Sequence, residues 1–235
     1  MARDLDNSKK EKVPTDVDAF LKKVSLSRKT GHHSSTGRLI FAIDATASRQ
    51  PTWDHACHLQ REMFDAAAEE GNLELQIAYF RGFGEFKATR WTADSRALIG
   101  PMSRVNCLGG HTQIIKVLNH TLKQTMKQRV NALVYVGDCM EEEADRLCHI
   151  AGQLGMQGVP VFVFQEGGDP SAEICFQQIA KLSGGAYCRF DSNSASMLKT
   201  LLKAVAVYAA GGRKALENYS QKVGGKTLLL VQQIK

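Results

Sequence analysis

A doubly wound α/β fold is what this sequence predicts: a mostly parallel central sheet with one antiparallel edge strand and helices on both faces. Three observations carry that expectation. Short runs with hardly a polar residue, LIFAI at 39–43, ALVYVG at 132–137 and VPVFVF at 159–164, suit strands buried on both faces. Between such runs, apolar residues recur with a 3.6-residue period, the pattern of helices that bury one face. Strand and helix then alternate along most of the chain, which is the order that builds a covered parallel sheet.

Residues 1–36 mix charged, Ser, Thr and Gly residues, with one short amphipathic pattern through Val17, Phe20, Leu21 and Val24, and read as a basic flexible arm. The domain is expected over 37–210. Its first strand ends in Asp44, and Pro51 suits the first turn of a helix running through Ala56, Leu59, Met63 and Ala67 to Gly71. Leu73, Leu75, Ile77 and Tyr79 alternate with Glu74, Gln76 and Ala78, indicating a strand. Residues 81–84 can turn it into an antiparallel edge strand at 85–91. Thr112 precedes a helix carrying Ile114, Ile115, Leu118, Leu122 and Met126. A strand over 132–137 leads to a helix with Ala144, Leu147, Cys148, Ala151 and Leu154 on one face. There follow a strand over 159–164, a helix over 174–182, a strand over 186–190 and a helix over 197–208. Residues 211–235 form a basic extension in which 215–221 read as helix and TLLLVQQI at 227–234 as a strand or docking peptide. VGGKT at 223–227 resembles the end of a phosphate-binding loop, but Ser220 stands where that loop needs its first glycine and no buried strand leads into it.

At 235 residues the chain suits one large α/β domain, and its 43% hydrophobic and 23% charged residues are ordinary for a soluble globule. No apolar stretch reaches membrane-spanning length and the start lacks the apolar core of a signal peptide, so the expected location is cytoplasmic, without membrane association. Six scattered cysteines with no C-x-x-C pair favour free thiols in a reducing compartment. His55, Cys57 and His58 read as surface and core residues of one helix rather than zinc ligands. The net charge of +6 is concentrated at the two ends: residues 1–37 hold eight basic against five acidic residues and 199–235 hold seven against one, whereas 38–198 hold fifteen against eighteen. An acidic body argues against a nucleic-acid groove across the domain.

The chemistry concentrates after the first strand. Asp44, Thr46 and Ser48 offer a carboxylate and two hydroxyls, spaced by the small Ala45 and Ala47, where an open parallel sheet places its ligands. All three are hard oxygen donors, suited to Mg²⁺ or Mn²⁺. Thr112 follows Gly109-Gly110-His111, and Asp138 ends the run ALVYVGD. In a parallel sheet these two loops open on the same edge as Asp44.

This three-part pattern, Asp44-Ala45-Thr46-Ala47-Ser48, then Thr112 in a glycine-containing loop, then Gly137-Asp138, resembles the von Willebrand factor type A (VWA) domain and its metal-ion-dependent adhesion site (MIDAS), over about residues 38–210. Thr46 stands where the family has its first serine and keeps the hydroxyl. The resemblance implies strand order 3-2-1-4-5-6 and a site in which the hydroxyls of Thr46, Ser48 and Thr112 contact the metal while Asp44 and Asp138 often act through water. It also implies a partner's acidic side chain as the remaining ligand. An intracellular microbial type is expected, a non-enzymatic protein-interaction module acting as adaptor or subunit, with assemblies of AAA+ ATPases among the partners implied. A haloacid-dehalogenase-like, Mg²⁺-dependent phosphatase would need a second aspartate where Thr46 stands. RNA or acidic-protein binding through the basic tails is the third reading. His111 reads as a spacer or hydrogen-bonding residue, and Glu141–Glu143 as the solvated start of the next helix.

Overall fold

Along Gly37–Asp44 (β1) every residue is buried, and successive side chains enter opposite halves of the core, as strand geometry requires. Leu39, Phe41 and Ile43 belong to one apolar cluster, Ile40 and Ala42 to the other. The computed structural model describes residues 36–52, 73–190 and 195–223. Within them β1 is joined by Leu73–Arg81 (β2), Glu85–Ala88 (β3), Ala132–Gly137 (β4), Val161–Glu166 (β5) and Ala186–Phe190 (β6). The helices are Ile99–Ser103 (α1), Ile114–Lys127 (α2), Ala144–Met156 (α3), Pro170–Ser183 (α4) and Ala195–Val223 (α5).

The strands form one sheet in the order β3-β2-β1-β4-β5-β6. Every pairing is parallel except β2 with β3. Buried residues of α2, α3 and α4, among them Leu118, Leu147 and Phe176, cover one face of the sheet. Met102 of α1 and Leu202, Val205 and Tyr208 of α5 pack on the other. Each fully buried Leu, Ile or Phe contributes about 1.5–3 kcal/mol relative to exposure, so the sheet is held from both sides. The expected α/β architecture, including its antiparallel edge, is what the chain forms.

Several element boundaries differ from those expected. The edge strand stops at Ala88 rather than 91 because the Thr89 hydroxyl takes the place of a backbone acceptor, receiving the Ile77 N–H at 3.0 Å. β5 begins at Val161, not Val159: the Val159 N–H donates back to the Leu154 carbonyl at the end of α3, and Pro160 has no N–H to give. α4 starts at Pro170, four residues earlier than expected, because Asp169 caps it by accepting the Ala172 N–H at 2.6 Å. Ala144 is exposed, and the buried face of α3 is formed by Leu147, Ile150, Ala151 and Leu154. α5 continues well past Tyr208, with a kink at Gly212, whose φ of 68° and ψ of −160° favour a residue without a side chain. Leu216, beyond the kink, is buried in the same cluster as β1. Pro51, where a helix is expected to start, lies in a 3-10 turn over Ala47–Thr52; the rest of that expected helix, the N-terminal arm with its amphipathic segment, and 224–235 lie outside the described residues.

Candidate metal site

β1 ends in a carboxylate that the fold buries completely: Asp44 is 0% exposed. A side chain of this kind at a strand end can fold back on its own loop, and Asp44 Oδ1 accepts the Thr46 N–H at 2.7 Å. Asp44 Oδ2 is buried with no hydrogen-bond donor among the described residues. Burial pushes the carboxyl up to about 6, against the hydrogen bonding from Thr46 that favours the ionised form; nearby Asp138 adds a smaller upward push. Thr46 is buried and Ser48 exposed, and their hydroxyl oxygens lie 3.1 Å apart.

The second loop is fastened to the first. The Leu108 N–H donates to the Ala45 carbonyl at 3.1 Å, and Thr46 and Leu108 form an isolated parallel bridge. Gly110 lies so close to the β2–β3 turn that a Cβ there would meet the Gly82 carbonyl oxygen at 2.0 Å, which only a glycine avoids. Thr112, also buried, is locked to the third loop by a reciprocal pair: its N–H donates to Glu141 Oε2 and its hydroxyl accepts the Glu141 N–H, both at 3.0 Å.

In that third loop, Asp138 follows the last residue of β4, and its Oδ1 is buried without a donor among the described residues. Asp44, Asp138 and Cys139 each offer one ligand atom, and these atoms lie within 4.8 Å of one another. Arg49 stands nearby, 1% exposed, ion-paired with Glu166 at the end of β5. Burial pulls its guanidinium below the usual range, partly offset by Asp138 and Asp44. The donor set therefore fits a divalent cation: two buried carboxylate oxygens lacking protein donors, with hydroxyls in the adjoining loop.

No family model matches the chain, and no curated protein matches its sequence. Solved structures do. An aerotolerance-related membrane protein from Bacteroides fragilis NCTC 9343 superposes with a TM-score of 0.56 at 20% identity, covering 70% of this chain and 96% of that one. The SpRpn10 VWA domain gives 0.57 at 11% identity, covering 71% and 94%. Proximal thread matrix protein 1 from the mussel byssus, with a zinc occupied MIDAS motif, gives 0.58 at 12% identity, covering 74% of this chain and 46% of that one. The chain has the von Willebrand factor type A fold.

On that VWA frame, the five residues singled out by sequence sit on three loops at the carboxyl edge of the parallel strands. Asp44 and Asp138 are brought together, Thr46 and Ser48 are hydrogen-bonded, and Thr112 is tied to the loop that carries Asp138. The reading of Glu141–Glu143 holds for Glu143, exposed at the N-cap of α3, and is corrected for the other two. Glu142 reaches back to α2, accepting the Ile114 and Ile115 N–H groups at 2.5 and 2.9 Å, while Glu141 holds Thr112. Two carboxylates thus satisfy N–H groups at the start of the preceding helix, where its dipole favours negative charge. His111 is a hydrogen-bonding residue, with Nδ1 3.3 Å from Glu141 Oε2, and it meets the exposed Phe83 ring edge-on at 5.3 Å. Sequence reasoning missed Arg49 and Cys139. Their one local signal is adjacency, Arg49 to Ser48 and Cys139 to Asp138.

Proposed function

We propose that this chain is a non-enzymatic, divalent-metal-dependent protein-binding module, an adaptor or subunit of a larger intracellular complex. Asp44, Thr46, Ser48, Thr112 and Asp138 would hold Mg²⁺, with Mn²⁺ as the alternative ion. The observation that carries this reading is the pair of buried oxygens, Asp44 Oδ2 and Asp138 Oδ1, without donors among the described residues. Burying charge without a partner is costly, and a cation is the partner this donor set calls for.

When bound, such an ion supplies a Lewis-acidic position that can exchange water for a partner's carboxylate. The chain's own residues provide the rest. The Thr46 N–H holds one oxygen of Asp44, leaving the other free to face a cation. Thr112 and Glu141 keep the second and third loops in register. Arg49 and Glu166 pin the first loop to the end of β5. Phe83, 83% exposed, and Leu108, 44% exposed, supply apolar ground beside the loops for the partner's neighbouring side chains.

Two similar structures support the reading, one a mussel byssus protein with a zinc occupied MIDAS motif and the other a VWA domain. The phosphatase alternative requires a carboxylate at position 46, where Thr46 instead offers a hydroxyl hydrogen-bonded to Ser48. Among the described residues no helix is long and apolar enough to cross a membrane. An AAA+ ATPase assembly is the kind of complex in which such a module would serve.

The test is a pull-down with the full chain in Mg²⁺ and in EDTA, repeated with Asp44→Ala. Proteins retained in Mg²⁺ and lost both in EDTA and with the variant support the proposal. Retention that ignores metal and variant alike refutes it.

A further inference from the structure

The sequence suggested a site of hard oxygens, but the fold adds a sulfur. Cys139 Sγ lies within 4.8 Å of a carboxylate oxygen of both Asp44 and Asp138. It is half-buried and free, directly after the strand-end aspartate. A lone cysteine near acids means little; here a second observation points to a cation. Asp44 is 0% exposed, and its Oδ2 has no donor among the described residues. Cys139 stands at this electron-rich spot.

We infer that Cys139 is a metal ligand together with Asp44 and Asp138, and that it gives the site a preference for a borderline-soft divalent ion of the Zn²⁺ class over Mg²⁺. The inference rests on the metal-binding reading above and refines which ion it concerns. Thiolate sulfur selects Zn²⁺ over the hard cations, which favour oxygen alone. An ion bonded at roughly 2.0–2.3 Å in tetrahedral geometry holds its ligand atoms roughly 3.5 Å apart, and these three atoms already lie within 4.8 Å of one another. Three protein ligands leave one tetrahedral position for an incoming carboxylate, so the interaction role survives the change of ion. Coordination forms a metal–sulfur bond and releases the Sγ proton to the buffer.

Cys107 is the internal control. It is also half-buried and senses the charges of Arg49, Asp44 and Asp138, yet it does not belong to the three-atom cluster. The experiment uses the full chain, stripped of metal, as wild type, Cys139→Ser, Cys107→Ser and Asp44→Asn. Titration calorimetry with Zn²⁺ and with Mg²⁺ gives affinities, and Co²⁺ serves as a spectroscopic probe through its thiolate-to-metal charge-transfer band in the near ultraviolet. Wild type and Cys107→Ser should bind Zn²⁺ more tightly than Mg²⁺ and show the band. Cys139→Ser should lose the band and at least the roughly 10–100-fold in Zn²⁺ affinity that removal of a mere outer-shell partner costs, with Mg²⁺ affinity little changed. Asp44→Asn should lose both ions.

Binding of Mg²⁺ by wild type without any Co²⁺–thiolate band overturns the role of Cys139 and leaves the proposed function standing. A band that survives Cys139→Ser does the same. Failure of wild type to bind either ion overturns both. Because the band in wild type and its persistence in Cys107→Ser are read on near-native proteins, the outcome does not hang on the folding of one variant.

Discussion

Asp44→Asn should make the metal-free protein more stable at neutral pH and at the same time abolish its stabilisation by metal. The substitution keeps the shape of the side chain and an oxygen able to accept the Thr46 N–H at 2.7 Å, but removes the charge. Burial holds the folded carboxyl at about 6, against 3.8 in the unfolded chain. Its folded pKa is raised, so between about pH 4 and 6 the native state keeps a proton that the unfolded state has lost, and stability falls as pH rises through that window. The full cost, present above about pH 6, is of order 3 kcal/mol. In EDTA at pH 7.5, urea denaturation should therefore show the variant more stable than wild type by up to about that amount. At pH 4 the two should be nearly equal. Adding metal at about a hundred times its dissociation constant should return about 2.7 kcal/mol to wild type and nothing to the variant, reversing the order. An Asn variant no more stable than wild type in EDTA at pH 7.5 would refute the buried-charge argument. A metal-induced shift that persists in a folded variant would remove Asp44 from the site.

Arg49→Gln should destabilise the domain by roughly 3–5 kcal/mol, because it leaves the Glu166 carboxylate, 12% exposed, without its cationic partner. Glu166→Gln introduced into that variant should recover part of the loss, read as a non-additive double-mutant cycle in urea melts. Glu142→Gln should cost about 1.5–3 kcal/mol by weakening the charged hydrogen bonds to Ile114 and Ile115. Its amide exchange should quicken first at the start of α2, where hydrogen–deuterium exchange would localise the change.

The fold was legible because its evidence is local. Strands with both faces buried read as unbroken apolar runs, and the bounds of β4 fall where the run at 132–137 ends, while β6, which alternates buried residues with the exposed Arg189, also keeps its expected bounds of 186–190. Where boundaries moved, a side chain or a proline had taken over a backbone hydrogen bond: Thr89 at the end of β3, Pro160 before β5, Asp169 before α4. Such exchanges depend on what lies opposite in the sheet or turn, and a one-dimensional pattern of apolar residues does not record it. Strand order is less local still, and the expected 3-2-1-4-5-6 came through the resemblance of the loop motifs rather than from any strand's composition.

The candidate site divides along the same line. Asp44, Thr46 and Ser48 announce themselves because they share one loop, whereas the charges that shape their surroundings arrive from elsewhere. Arg49 looks like an ordinary surface arginine until β5 delivers Glu166 beside it. Glu142 looks like the start of its own helix, yet it satisfies N–H groups 28 and 27 residues earlier in the chain. Cys139 is hidden by a geometric expectation: along a continuing strand, neighbouring side chains point to opposite faces, so Asp138 and Cys139 would not both face Asp44. β4 ends at Gly137 and the chain bends at Asp138. Once the pleat is broken, two consecutive side chains can turn toward one point. A sulfur then joins the oxygens, and the ion preference read from Asp44, Thr46 and Ser48 alone no longer follows from the site as a whole.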